Sequence, residues 1–180
     1  MRLTYKYRAY ANKETTSKAT EWLDVCRDVY NWGLEQRILA YKEYNFTINT
    51  YDQYYELPSL KTANPSYKNV NSQTLQNVLE RLDKAYKGFF ARIKLGERAG
   101  LPRFQGRGRY NSFTLKQYGW KLEGNKLQIS RVGLFKLRLS RSLNGDIKTV
   151  TLKHERTGKW YAYFSCDNIP KHELPTNNKN

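Results

Sequence analysis

A chain of 180 residues with 39% hydrophobic and 14% aromatic content can bury a real core, in one domain or two small ones, and is no disordered tail. Charged side chains recur from Arg2 onward, which leaves room for neither a bilayer-spanning run nor a leader peptide; the expected location is cytoplasmic. The formal charge of +16 is unevenly spread, since residues 84–141 hold 15 Lys and Arg against 2 Asp and Glu, whereas residues 1–83 hold 11 against 10.

In chain order, Leu3-Thr4-Tyr5-Lys6-Tyr7-Arg8-Ala9 alternates apolar with polar residues, which predicts a half-buried strand within residues 1–10. Asn12 is placed to cap a helix running to about Tyr44, with Trp22, Cys26, Val29 or Tyr30, Gly33 or Leu34, and Ile38 on one face. A second helix is predicted from Thr50, which stands with Gln53 at capping-box spacing, to Leu57, where Pro58 should stop it. After an Asn64-Pro65-Ser66 turn, Leu75, Leu79, Leu82, Tyr86, Phe89 and Ile93 form an apolar stripe that predicts a third helix from about Ser72 to Leu95, ended by Gly96 and Gly100. Beyond Asn111 the period becomes two. Phe135, Leu137 and Leu139 form one inward set and Trp160, Ala162, Phe164 and Cys166 another, with hairpin turns at Glu123-Gly124-Asn125 and Thr157-Gly158.

An isolated first strand needs sheet partners, so the predicted class is α+β: a small β-barrel of that strand and about five later ones, interrupted by three helices. The predicted divisions are strand residues 1–10, helical residues 11–97, barrel residues 98–167 and a Pro- and Asn-rich linker or tail at 168–180. Separate helical and β domains are the alternative.

Catalytic chemistry finds little support in these residues. Cys26 and Cys166 lie far apart in apolar segments and read as buried thiols. His154 and His172 are isolated, Gly106 and Gly108 lack the following Gly-Lys-Ser/Thr of a phosphate loop, and Asp167 with Glu173 is too small a set for a two-metal centre. The basic third is different. Gly100 to Leu115 carries Arg103, Arg107 and Arg109 among Phe104, Tyr110 and Phe113, with no carboxylate. Guanidinium forks pair with phosphate and exposed rings stack on unpaired bases, so nucleic acid is the expected partner over a merely solvated basic face. A membrane partner is not expected, because it would need a free apolar face and the stripe of the third helix is claimed by the core.

Taken in series, these residues resemble the TnpB family, also called OrfB, transposon-associated RNA-guided DNA nucleases related to type V CRISPR effectors. The likeness rests on Tyr5-Lys6-Tyr7-Arg8 with Asn12-Lys13-Glu14; Cys26-Arg27-Asp28-Val29-Tyr30-Asn31-Trp32; Ser72-Gln73-Thr74-Leu75-Gln76 running into Leu82-Asp83-Lys84-Ala85-Tyr86-Lys87-Gly88-Phe89-Phe90; and Gly100-Leu101-Pro102-Arg103-Phe104. Gly124-Asn125-Lys126-Leu127, Lys136-Leu137-Arg138 and Gly158-Lys159-Trp160-Tyr161 follow in the same order. The resemblance implies a wedge-type β-barrel with a three-helix recognition lobe inserted after its first strand. It implies a guide RNA, double-stranded DNA and an RNA-DNA heteroduplex as partners, with base pairing reading the long sequence and side chains a short adjacent motif.

By that resemblance, motif reading falls to Tyr51, Ser72 and Gln76, with Lys116 and Gln117 as looser matches. Ser72 serves equally well as a helix cap and Gln76 as a solvated side chain. Backbone contacts fall to Arg103, Arg107, Arg109, Lys84 and Lys87. Phe104 is expected to anchor its loop, Tyr86 and Phe89 to lie in the core, and Tyr54-Tyr55 to fill the space between helices. Family members continue into a RuvC-like nuclease domain. This sequence stops before it, so no catalytic residue and no cofactor is expected here, magnesium being expected only with that domain. A separate nuclease half is a further partner to consider, and a stand-alone DNA-binding accessory or repressor, acting without RNA, is the alternative function.

Overall fold

In the computed structural model, which describes residues 1–170, β1 (Leu3–Tyr10) lies in the middle of a seven-stranded antiparallel sheet, although the next strand in sequence begins only at Ser112. The strands β2 (Ser112–Leu115), β3 (Trp120–Glu123), β4 (Lys126–Ile129), β5 (Gly133–Arg138), β6 (Asp146–His154) and β7 (Trp160–Asp167) join it in the order β2-β6-β7-β1-β5-β4-β3. The two outermost strands, β2 and β3, are consecutive in sequence, and the sheet curls into a nearly closed barrel. Alternate side chains fill it: Tyr5, Tyr7 and Ala9, then Phe113 and Leu115, Leu127 and Ile129, Phe135 and Leu137, Val150 and Leu152, and the Trp160 to Cys166 set. Leu139 departs from the predicted alternation. It lies past the end of β5 and is exposed.

Between β1 and β2 stand α1 (Lys13–Tyr44), α2 (Thr50–Ala63), a 3-10 turn (Pro65–Asn69) and α3 (Ser72–Lys94). Asn12 caps α1 by accepting a 2.8 Å hydrogen bond from the Thr15 amide. α2 starts at Thr50 as predicted, but Thr50 is not its cap. Asn49 is its cap and exchanges hydrogen bonds with Asp52, since the pair Asn-x-x-Asp satisfies the same orphan amides as Thr-x-x-Gln. Nor does Pro58 end α2: the proline is exposed, and Leu57 and Leu60 on either side of it pack on the core. The cap of α3 is Asn71 rather than Ser72, its side chain accepting from the Gln73 and Thr74 amides.

Helix packing follows the periodic stripes only partway. In α3, Leu75, Leu79 and Leu82 are fully buried, Tyr86 and Phe89 half-buried, and Ile93 half-exposed, so the stripe outruns the core it was predicted to fill. α1 meets α3 at Gly33, where a Cβ would stand 2.8 Å from Leu79 Cδ2, closer than carbon atoms approach. One turn on, the buried Arg37 ties the three helices together by donating to Gln53 (3.0 Å), Asp83 (3.3 Å) and Thr50 (3.3 Å). The helices are locked to the barrel through β2. The Thr74 hydroxyl donates to the Thr114 carbonyl at 2.9 Å, and Arg81 donates to the Ser112 carbonyl (2.9 Å) and the Thr114 hydroxyl (2.7 Å). Among the described residues no helix is long and apolar enough to cross a membrane. Of the predicted linker, residues 171–180 lie outside the described residues.

Candidate nucleic-acid interface

The basic stretch between α3 and β2 is an extended segment held at two points. The Gln105 amide donates to the Asn31 side chain at 2.8 Å and the Asn31 amide returns a 2.9 Å bond to the Gln105 carbonyl, which fixes the segment to the middle of α1. Tyr110 is wedged between Tyr30 and the Arg81 guanidinium. Between these anchors Gly106–Arg109 forms a turn closed by a 3.1 Å bond from the Arg109 amide, with Gly108 at φ +73° supplying the left-handed position the turn requires. Arg103, Arg107 and Arg109 are exposed, and none has a carboxylate partner among the described residues. Phe104 does not anchor the loop: it is 55% exposed, and the Asn31–Gln105 exchange does that work instead. No periodicity announces that exchange, because its partners are 74 residues apart.

A second group of predicted residues lines one side of α3. Ser72, Gln76 and Glu80 follow at four-residue intervals, one above the other along about 12 Å of helix. Lys61 of α2 donates to the Ser72 hydroxyl at 2.7 Å. The Glu80 carboxylate accepts from Lys116 at 2.5 Å and from the Tyr54 hydroxyl at 3.0 Å, and Tyr51 stands edge-on to Tyr54 with ring centroids 5.8 Å apart. Tyr51, Ser72, Gln76 and Lys116 thus belong to one continuous strip spanning α2, α3 and the β2–β3 connection, with the exposed Gln117 beside Lys116. The strip has gaps in its positive charge. Lys116 is committed to Glu80, and Lys87 to Asp83 at 2.7 Å; Lys84 is exposed without a carboxylate partner among the described residues. Of the tyrosine pair, Tyr54 packs as expected while Tyr55 is exposed.

Burial alone would raise the Glu80 carboxyl, but hydrogen bonds from Lys116 and Tyr54 outweigh it and hold the group below its ordinary value; the Tyr54 phenol, desolvated and beside that carboxylate, is raised. A carboxyl depressed on folding contributes stability that is complete above its unfolded value and is lost as pH falls through the folded one. Acidifying the protein from about pH 7 to about pH 3 should therefore lower Tm less steeply in Glu80→Gln than in the parent, from a lower start at neutral pH. Parallel curves in a thermal melt series would show that Glu80 contributes nothing to this docking.

Cys26 is wholly buried and its thiol is pushed up to about 12 by desolvation, which leaves it unreactive. Among the described residues no three His, Cys, Asp or Glu side chains converge to hold a metal ion. What these surfaces offer is charge, amides and rings for a polyanion.

Residues 1–46 match the helix-turn-helix domain family of IS605 OrfB proteins. In the fold this segment is β1 followed by the unbroken α1, so no turn between two helices lies within it. Over 171 residues, 91% of the chain, the sequence is 31% identical to the "Putative RNA-guided DNA endonuclease InsQ" of Escherichia coli (strain K12). It is 25% identical over 177 residues, again 91% of the chain, to the "Putative RNA-guided DNA endonuclease" of Streptomyces pristinaespiralis. The chain spans 40% and 41% of the lengths of these two relatives.

Proposed function

We propose, on the premise that this chain belongs to the TnpB/OrfB family, that it is a guide-RNA and target-DNA binding module that holds nucleic acid without cutting it. The observation that carries the proposal is the arginine turn: three guanidinium groups with no carboxylate partner among the described residues, on a segment pinned at Asn31 and by Tyr110 between Tyr30 and Arg81. Such a mount presents charge to phosphates with little ordering left to do on binding. In this reading residues 11–97 act as the recognition lobe and residues 1–10 with 98–167 as the wedge. Guide RNA and RNA-DNA heteroduplex lie against Arg103, Arg107, Arg109 and Lys84, with Lys87 joining once it leaves Asp83. The strip of Tyr51, Ser72, Gln76 and Gln117 faces the duplex beside the target, and Lys116 reaches it only by leaving Glu80. Hydrolysis belongs to the further length of the relatives, where magnesium would act; the described residues offer that ion no ligand set. The proposed place of work is the cytoplasm.

The test is to purify the chain, compare its absorbance ratio before and after ribonuclease, and measure binding to the released RNA and to duplex DNA. RNA should travel with the protein and be required for tight duplex binding. Tight duplex binding without RNA would favour the accessory or repressor reading, and robust cleavage with magnesium would overturn a non-cutting module. On the duplex side, Gln76→Ala should relax discrimination at one motif position by about 1–3 kcal/mol while leaving RNA affinity unchanged. Binding competition between single-base variants of the motif measures it.

A further inference from the structure

Strand register places one residue from each of five adjacent strands in a single line across the outside of the barrel. Arg138 of β5 faces Arg8 of β1, Arg8 faces Tyr161 of β7, Tyr161 faces Lys153 of β6, and Lys153 faces Ser112 of β2. Their chain neighbours Leu137, Ala9, Trp160, Ala162, Leu152 and Phe113 are buried, so the line itself lies on the outer face. At about 4.8 Å per strand it is about 19 Å long. It ends where the arginine turn begins, because Ser112 follows Tyr110 and Asn111 directly and the His154 amide bonds the Asn111 carbonyl at 2.8 Å.

The line mixes cations with rings. Arg8 sits 4.5 Å from the Tyr10 centroid and 5.5 Å from that of Tyr161, and it donates to the Ala9 and Trp160 carbonyls, so its guanidinium is held in place. Lys6 lies 4.1 Å from the Tyr161 centroid and is bonded to Glu155. Arg138, Lys136 and Lys153 have no carboxylate partner among the described residues. A duplex would use only the cations and leave the tyrosines idle, whereas an unpaired strand uses both, phosphates on the charges and bases on the rings.

We propose that this line extends the arginine turn into a track that carries an unpaired RNA strand across the barrel, an inference that rests on the RNA-binding reading above. The test uses the full chain, a labelled uridine homopolymer of about 16 nucleotides and an RNA duplex of equal length, titrated at several salt concentrations. Arg138→Glu with Lys153→Glu should weaken binding of the single strand about tenfold and reduce its log-log salt slope by about 1.4, the share of two phosphates. The charge-matched pair Lys18→Glu with Lys42→Glu, on α1, should leave the slope unchanged. Tyr161→Leu should weaken the single strand about fivefold and spare the duplex. If the Arg138 and Lys153 pair behaves like the α1 pair while alanine at Arg103, Arg107 and Arg109 abolishes binding, the RNA-binding reading stands and the track is wrong. A loss confined to the duplex also overturns the track. If the parent chain binds no RNA at all, the functional reading falls, and the track with it.

Discussion

Replacing Arg103, Arg107 and Arg109 together by alanine should weaken guide-RNA binding about a hundredfold at moderate salt and lower the log-log salt slope by about 2, from a parent value of about −6 to −7. The expectation follows from how the segment is held: among the described residues none of the three arginines joins an ion pair, and the Asn31–Gln105 exchange and Tyr110 fix the segment without them. The variant should therefore melt with the parent while losing affinity for all sequences alike. Fluorescence anisotropy across a potassium chloride series measures both affinity and slope. A triple variant with the parental slope would remove the turn from the interface.

The largest expected effect on stability lies elsewhere, at Arg37. Its guanidinium bonds Gln53, Asp83 and Thr50 and lies 5.2 Å from the Tyr86 centroid, where it is 8% exposed. Arg37→Met keeps much of the volume but takes the Arg37 donor from the Gln53 carbonyl oxygen and leaves Asp83 with Lys87 as its one ion-pair partner among the described residues. Breaking one side of a buried ion pair costs about 3–5 kcal/mol, and the low end applies because Asp83 keeps an exposed partner. Since α2 has only Gln53 and Leu57 as fully buried anchors, it should loosen first. Urea denaturation gives the total, hydrogen exchange locates it, and adding Asp83→Asn should recover part of the loss by removing the uncompensated charge. A single variant within about 1 kcal/mol of the parent would show that the network is not needed.

Local chemistry written in consecutive residues was the readable part of this sequence. The Asn12 cap, the Leu75 to Leu82 stripe and the inward sets of β5 and β7 follow directly from periods of 3.6 and two. Where two neighbouring residues offer the same service, spacing does not choose between them: Asn49 and not Thr50 caps α2, and Asn71 and not Ser72 caps α3. Tertiary contact decided the rest. Leu57 and Leu60 pack on the core on either side of Pro58, and Gln105, not the exposed Phe104 beside it, anchors the basic segment. The charge surplus marks the arginine turn, but pairing removes Lys87 and Lys116 from the free charge: Asp83 stands one helical turn before Lys87, a spacing legible in the sequence, whereas Glu80 meets Lys116 only through the fold.

The central place of β1 sets an order of events during synthesis. Its two neighbours, β5 and β7, leave the ribosome only after all three helices, so the first strand waits unpaired while the helices form by contacts among themselves. During that interval Tyr5 and Tyr7 are uncovered and both backbone edges are open to another chain. Shortening the protein from its C-terminal side before Trp160 would make that interval permanent, and the price would be aggregation of an otherwise well-formed helical part.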